Sequence, residues 1–100
     1  FETGFRINRE KLNKLLISKG IECSYEPVIY AGVKILYKYK YKNYVKNISV
    51  TVFERGYVMI NGGIYKTQIV ETYLFITKIF YEHYKEIRNW SILDFMKKTN

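Results

Sequence analysis

From Ile29 to about Tyr41 the chain alternates its side chains with period two. Such a stretch puts alternate residues on opposite faces, so it reads as one long β-strand, and the rest of the chain must supply strands to pair with it. Its two faces differ in chemistry: Ala31, Val33, Ile35, Tyr37 and Tyr39 point one way, and Tyr30, Gly32, Lys34, Leu36, Lys38 and Lys40 point the other. One face is made for a core and the other is cationic. The polar stretch Lys42 to Asn47 reads as a loop. After it Ile48, Val50 and Val52 alternate with Ser49, Thr51 and Phe53, the triplet Glu54-Arg55-Gly56 turns the chain, and Val58 and Ile60 alternate with Tyr57, Met59 and Asn61. This is a hairpin.

Helical periodicity flanks the strands. A short extended start at Glu2 to Ile7 leads to Asn8 as an N-cap, and Arg9 to Lys19 places Leu12, Leu15 and Leu16 on one face before Gly20 in a C′ position. Ser24 to Pro27 break the pattern. After Gly62-Gly63, the segment from about Tyr65 to Arg88 carries Ile69, Tyr73, Ile76, Phe80, His83 or Tyr84, and Ile87 at helical spacing, which predicts one long helix. The order strand, helix, three antiparallel strands, long helix predicts an α+β fold: an antiparallel sheet with two helices on one face.

One hundred residues suffice for one domain with a single core. A hydrophobic fraction of 48% and the lack of any long unbroken apolar run exclude a disordered chain and a transmembrane helix, so a soluble domain is expected. Phe1 at the start, with no secretion-signal pattern, reads as the beginning of a fragment of a longer parent. The lone Cys23 offers neither a disulfide framework nor metal-ligand spacing, and a reducing, intracellular compartment fits best. Residues 1–89 form the expected domain and residues 90–100 a tail, whose Trp90, Ile92, Leu93, Phe95 and Met96 suit either capping the helices or docking a partner.

Charge bears on partners. Seventeen Lys and Arg against nine Asp and Glu give a formal net charge of +8, which attracts polyanions, nucleic acid first. Solubility is the other reading of such a charge. The sheet face turned away from the helices would show Tyr30, Phe53, Tyr57 and Met59 among Lys34, Lys38, Ser49, Thr51 and Asn61. A face this aromatic is either a binding surface or is covered by a second domain or a second copy of the unit. The Lys-Tyr alternation up to Lys42 also suits a solvated strand edge, where lysines block aggregation.

Two stretches carry a family resemblance. Ser24-Tyr25-Glu26-Pro27-Val28-Ile29-Tyr30-Ala31-Gly32-Val33 resembles the stirrup and second strand of a TATA-box-binding protein repeat, and the run from Val52-Phe53-Glu54-Arg55-Gly56 through Tyr57-Val58-Met59-Ile60-Asn61 to Gly62-Gly63 resembles its third-to-fourth strand hairpin. Phe5, Ile7 and both helices are similar to their counterparts, so the resemblance covers roughly residues 3 to 88. The wording Ser-Tyr-Glu-Pro is closest to the C-terminal repeat. The bias toward Lys, Asn, Ile and Tyr is that of an AT-rich genome, as in the related factors of large DNA viruses.

The resemblance implies a curved sheet with its two helices on the convex face, half of a saddle whose concave face enters the DNA minor groove and drives aromatic wedges between base steps. It implies a transcription initiation factor domain, acting in the nucleus or a viral transcription compartment, with AT-rich double-stranded DNA as ligand. Phe53 matches one wedge and Tyr30 its partner, where tyrosine departs from the family's phenylalanine and brings a hydroxyl that needs a hydrogen bond. Met59 and Asn61 take positions facing base edges, and Asn61 can donate to the A N3 and T O2 acceptors. Leu36 replaces a phosphate-side arginine, with Lys34, Lys38 and Lys40 on the same face to restore charge, and Thr51 and Tyr57 complete the surface. Glu26 and Ile29 match positions that contact a transcription factor IIB-like protein, while Val28 departs from the family's glutamate. A second repeat or a homodimer partner is implied, and the family's first-strand asparagine falls before Phe1.

No enzymatic chemistry is expected. His83 has no neighbouring Cys or His, the glutamates lack an acid/base pairing, Cys23 reads as an inert buried thiol, and Gly62-Gly63 lacks the rest of a phosphate loop. No metal or cofactor is expected. The rival function is a protein-interaction module of a transcription or assembly complex, using the same sheet face or a helix face with Leu74, Phe75 and Tyr81.

Overall fold

The computed structural model describes residues 1–89, so the tail from Trp90 lies outside the described residues. The order is α1 (Arg9–Ser18), β1 (Cys23–Ser24), β2 (Val33–Tyr41), β3 (Tyr44–Val52), β4 (Val58–Asn61), α2 (Lys66–Glu82) and α3 (Tyr84–Ile87). The strands form one open antiparallel sheet in the order β1-β2-β3-β4. The fold is α+β, with the helices on one face of the sheet, and fits a half-saddle of the TATA-binding-protein type.

Local chemistry fixes the ends of α1. The Asn8 side chain accepts a hydrogen bond from the Lys11 backbone N–H at 3.1 Å, satisfying a donor that the first turn leaves open. At the other end Gly20 takes φ +73, its N–H reaches the Ile17 carbonyl and that of Ile21 reaches the Leu16 carbonyl, each at 3.0 Å. This double closure needs a left-handed residue after the helix, which glycine adopts without strain.

The core lies between the helices and one sheet face. Leu12, Leu15 and Leu16 of α1 and Ile76, Ile79 and Phe80 of α2 meet Val33 and Ile35 of β2, Val50 and Val52 of β3, and Val58 of β4, with Ile7 and Ile87 closing one end. Register explains the layer: Ile35 stands opposite Val50, which stands opposite Ile60, and Val33, Val52 and Val58 form the next row. Each buried aliphatic side chain of this kind contributes about 1.5–3 kcal/mol of transfer free energy.

Several boundaries differ from the sequence reading. The strand predicted from Ile29 starts at Val33, because residues 27–29 turn: the N–H groups of Ile29 and Tyr30 both donate to the Glu26 carbonyl at 2.9 Å. The loop predicted over Lys42 to Asn47 is a two-residue turn at Lys42-Asn43, with Lys42 at φ 54 and Tyr41 paired with Tyr44. β3 is correspondingly longer, and polar side chains there face water while the backbone stays in the ladder. The break predicted from Ser24 begins inside a short strand, β1, whose Cys23 and Ser24 pair with Ile35 and Lys34. The extended start makes only isolated bridges, Glu2 with Tyr57 and Ile7 with Arg88.

The second helix also differs. It ends at Glu82, His83 leaves helical geometry at φ −120 and ψ 24, and a separate turn, α3, follows. Ile69 and Tyr73, predicted for the core stripe, are each 43% exposed. The buried face instead runs through Gln68, Thr72, Ile76, Ile79 and Phe80. Gln68 is inside because its side-chain oxygen accepts from the backbone N–H groups of Ile64 at 2.9 Å and Tyr65 at 3.2 Å, capping the helix start. Thr72 returns its hydroxyl to the Gln68 carbonyl at 2.8 Å. Both polar groups are satisfied, so burial carries no desolvation penalty large enough to turn the helix.

Candidate nucleic-acid interface

The sheet face away from the helices is assembled by cross-strand register. Ser24 of β1, Lys34 of β2, Thr51 of β3 and Met59 of β4 form one row, and Leu36, Ser49 and Asn61 form the next. Lys38 opposite Asn47 and Lys40 opposite Val45 continue the face beyond the end of β4. Residues within a row lie close enough for their side chains to touch, so they act as one surface. A recess lined by Ser24, Lys34, Leu36, Ser49 and Thr51 crosses it.

The two aromatic rings sit at one end of this face. Tyr30 lies just before β2 and Phe53 just after β3, with ring centroids 6.0 Å apart and planes tilted by 58°. Lys34 Nζ stands 4.5 Å from the Tyr30 centroid, a cation held over the ring face. Gly32 makes the approach possible: a Cβ there would come within 2.5 Å of Thr51 Cγ2, 3.1 Å of the Tyr30 ring and 3.2 Å of the Phe53 ring. Thr51 is only 8% exposed beneath this cluster, so it supports the rings more than it presents a surface of its own. Tyr57 and Met59 remain exposed beside them.

The cationic end is separate. Lys40 is six residues from Lys34 along β2, about 20 Å at the usual strand rise. Lys38 and Lys40 therefore do not flank the rings. From residue 33 to 61 the chain carries Lys34, Lys38, Lys40, Lys42, Lys46 and Arg55 against Glu54 alone, so this stretch holds five of the eight net positive charges. Glu54 itself is paired with Arg9 at 3.3 Å and Arg6 at 3.6 Å. Lys46 is opposite Tyr39, on the helix-side face.

Glu26 and Ile29 lie off the sheet, in the turn before Tyr30. Ile29 and its neighbour Val28 are exposed at the tip, an apolar pair facing solvent. On the helix side Tyr37 donates its hydroxyl to Glu71 at 2.5 Å and packs on Phe75, with centroids 4.6 Å apart. Partial burial, and then the bond to Glu71, pushes the Tyr37 phenol up to about 12. Phe75 therefore belongs to an internal contact, whereas Leu74 and Tyr81 are exposed. Cys23 is half-buried, its Sγ 3.3 Å from Asn13 Oδ1, and burial pushes its thiol up. His83 Nδ1 lies 3.2 Å from Glu86 Oε2.

Sequence reasoning left Ser24, Asn47 and Val45 out of the face. Parity carried the signal for Asn47 and Val45 once the loop is recognised as strand, and for Ser24 only pairing with Lys34 reveals it.

This chain is similar to the TATA-box-binding protein-like protein of Acanthamoeba polyphaga mimivirus. The two are 28% identical over 99 aligned residues, which cover 88% of this chain and 26% of the relative. The chain thus spans about a quarter of that protein's length. No protein-family profile matches the chain, and no solved structure does. The relative is viral and is named for likeness to the family whose stirrup and hairpin the segments around Pro27 and Gly56 resemble. No helix among the described residues is long and apolar enough to cross a membrane.

Proposed function

We propose that this domain binds AT-rich double-stranded DNA through the minor groove, as part of a transcription initiation factor. The observation that carries the reading is the tilted Tyr30–Phe53 pair, at the end of a sheet face that no helix among the described residues covers, with Met59 and Asn61 on the adjoining strand. Apolar wedges of this kind unstack a base step, and bendable AT-rich steps yield most readily. Asn61 donates to the acceptors that A·T pairs display on the groove floor, where the amino group of guanine would intrude. Lys38 and Lys40, along the same face, neutralise backbone phosphates farther out on the duplex. The name of the mimiviral relative supports the same assignment.

The exposed turn with Glu26, Val28 and Ile29 is the docking point for a transcription factor IIB-like protein in this reading. A second repeat or a second copy completes the saddle.

Fluorescence anisotropy against AT-rich and GC-rich duplexes of equal length, each titrated with salt, tests the proposal. Groove readout leaves an AT preference that survives rising salt, and Phe53→Ala weakens it without unfolding the domain. Equal, steeply salt-dependent binding to both duplexes would reduce the face to a basic surface. No binding at all would favour the interaction module, for which the exposed Leu74 and Tyr81 of α2 provide a surface.

A further inference from the structure

Arg9 makes three contacts with two separate segments from the first turn of α1. Its Nη1 donates to the Ala31 carbonyl at 2.6 Å, its Nη2 donates to Glu54 Oε2 at 3.3 Å, and its Cζ stands 5.4 Å from the centroid of the Tyr25 ring. Tyr25 opens the loop that ends at Ala31, and Glu54 opens the β3–β4 turn. Ala31 directly follows Tyr30, and Glu54 directly follows Phe53. One side chain therefore bonds both the backbone beside Tyr30 and the carboxylate beside Phe53.

Neither ring is carried by a strand. Tyr30 hangs on the turn from Glu26, whose backbone bonds lie within its own loop, whereas the turn from Phe53 to Tyr57 is also held by the N-terminal segment, the Thr3 N–H donating to the Gly56 carbonyl at 2.8 Å and the Ile7 N–H to the Glu54 carbonyl at 2.9 Å. The Tyr30 segment, with so few long-range backbone bonds, opens readily unless something cross-links it to the better-held Phe53 turn. The guanidinium is suited to that task, because its planar fork donates to a carbonyl and a carboxylate at fixed angles while stacking on an aromatic ring. Lysine offers one point charge and cannot reproduce this. Arg6, 3.6 Å from the other oxygen of Glu54, steadies the carboxylate.

We propose that Arg9 is a positioning residue: it presets the spacing and tilt of Tyr30 and Phe53, and so governs how well the domain bends DNA and distinguishes AT-rich from GC-rich duplex, with little influence on charge-driven affinity. This rests on the proposed DNA reading. The clamp makes the rings ready before contact, so the ordering cost is not met during binding.

The test uses the whole chain with Arg9→Lys, which keeps the charge, and Glu54→Gln, which keeps the Ala31 bond. AT-over-GC affinity ratio, salt slope, DNA bending by energy transfer between duplex ends, and melting temperature are measured together. Arg9→Lys is expected to lower the affinity ratio by about tenfold, the lower end for losing a hydrogen bond to a charged group, and to reduce end-to-end transfer while leaving the salt slope unchanged. Glu54→Gln should show a smaller loss in the same direction, and it carries the test if Arg9→Lys does not fold. A folded Arg9→Lys with the wild-type ratio and wild-type bending overturns the clamp alone. A wild-type domain without AT preference overturns the DNA reading, and the purpose assigned to the clamp with it.

Discussion

The lysines at the far end of the sheet face give a quantitative test of whether that face meets DNA. Lys38 and Lys40 point to the same side of β2, both exposed, opposite Asn47 and Val45 and past the last pair made by β4. The perturbation is the double change Lys38→Gln with Lys40→Gln. Lys34 is left in place, because its ammonium sits over the Tyr30 ring and its loss would move the wedge as well. If each lysine neutralises one phosphate, the slope of log K against log salt becomes shallower by about 1.8, and the affinity lost between about 50 and 200 mM salt shrinks about 12-fold. Exposed changes of this kind alter stability by about 0.5 kcal/mol at most, so the fold is not at issue. The matched control is Lys14→Gln with Lys78→Gln, on α1 and α2, where each lysine is paired to a glutamate four residues away on its own helix. It removes the same net charge from the other side of the domain. Anisotropy titrations of the three proteins at several salt concentrations decide the matter. A control that flattens the slope as much as the test pair would show a net-charge effect, and a test pair with the wild-type slope would show that these lysines touch no phosphate.

Three further outcomes follow from the packing. Gly56 takes φ +92, and a Cβ there would collide with the Phe5 carbonyl and come within 2.5 Å of Thr3 Oγ1, so Gly56→Ala should cost about 2–4 kcal/mol, read as a melting temperature lower by about 10 °C or more. Ile76→Ala should cost about 2–5 kcal/mol in urea unfolding because Ile76 is fully buried, while Ile69→Ala on the exposed side of α2 should cost under about 1 kcal/mol; equal losses would contradict the observed orientation of the helix. The neutral Tyr37 phenol is favoured in the folded state, so its contribution is complete below about pH 10, the unfolded value, and fades as pH rises through about 12. Subtracting the ultraviolet titration of Tyr37→Phe from that of the wild type should isolate a phenolate appearing near 12, and Glu71→Gln should shift it downward.

Much of the fold is legible from local pattern. Period-two alternation placed the long strand and the Val52–Gly56 hairpin in their observed parity, so that Val33, Ile35, Val50 and Val58 lie inside and Lys34, Lys38, Met59 and Asn61 lie outside. Strand parity depends on covalent geometry alone and survives any detail of packing. Asn8 and Gly20 marked the ends of α1 because capping satisfies groups on the same helix. The polar run from Lys42 misled, since backbone pairing does not require apolar side chains, and two residues suffice to turn a hairpin. α2 misled in the opposite way: Ile69 and Tyr73 fit the stripe as well as Gln68 and Thr72 fill it.

The amino-acid sequence by itself determined which residues share a face, where the positive charge concentrates and which family the two quoted segments resemble. Each of these is a property of near neighbours along the chain. Tertiary structure alone decided that Gln68 is buried: its capping bonds to Ile64 and Tyr65 are local, and it is the packing of α2 on the sheet that turns this side of the helix inward. It alone decided that Tyr30 and Phe53, 23 residues apart, come within 6.0 Å across Gly32 and Thr51, and that Arg9 ties both loops from α1. Those contacts join segments distant along the chain, and their geometry is set only when sheet register and helix packing have fixed where each segment lies.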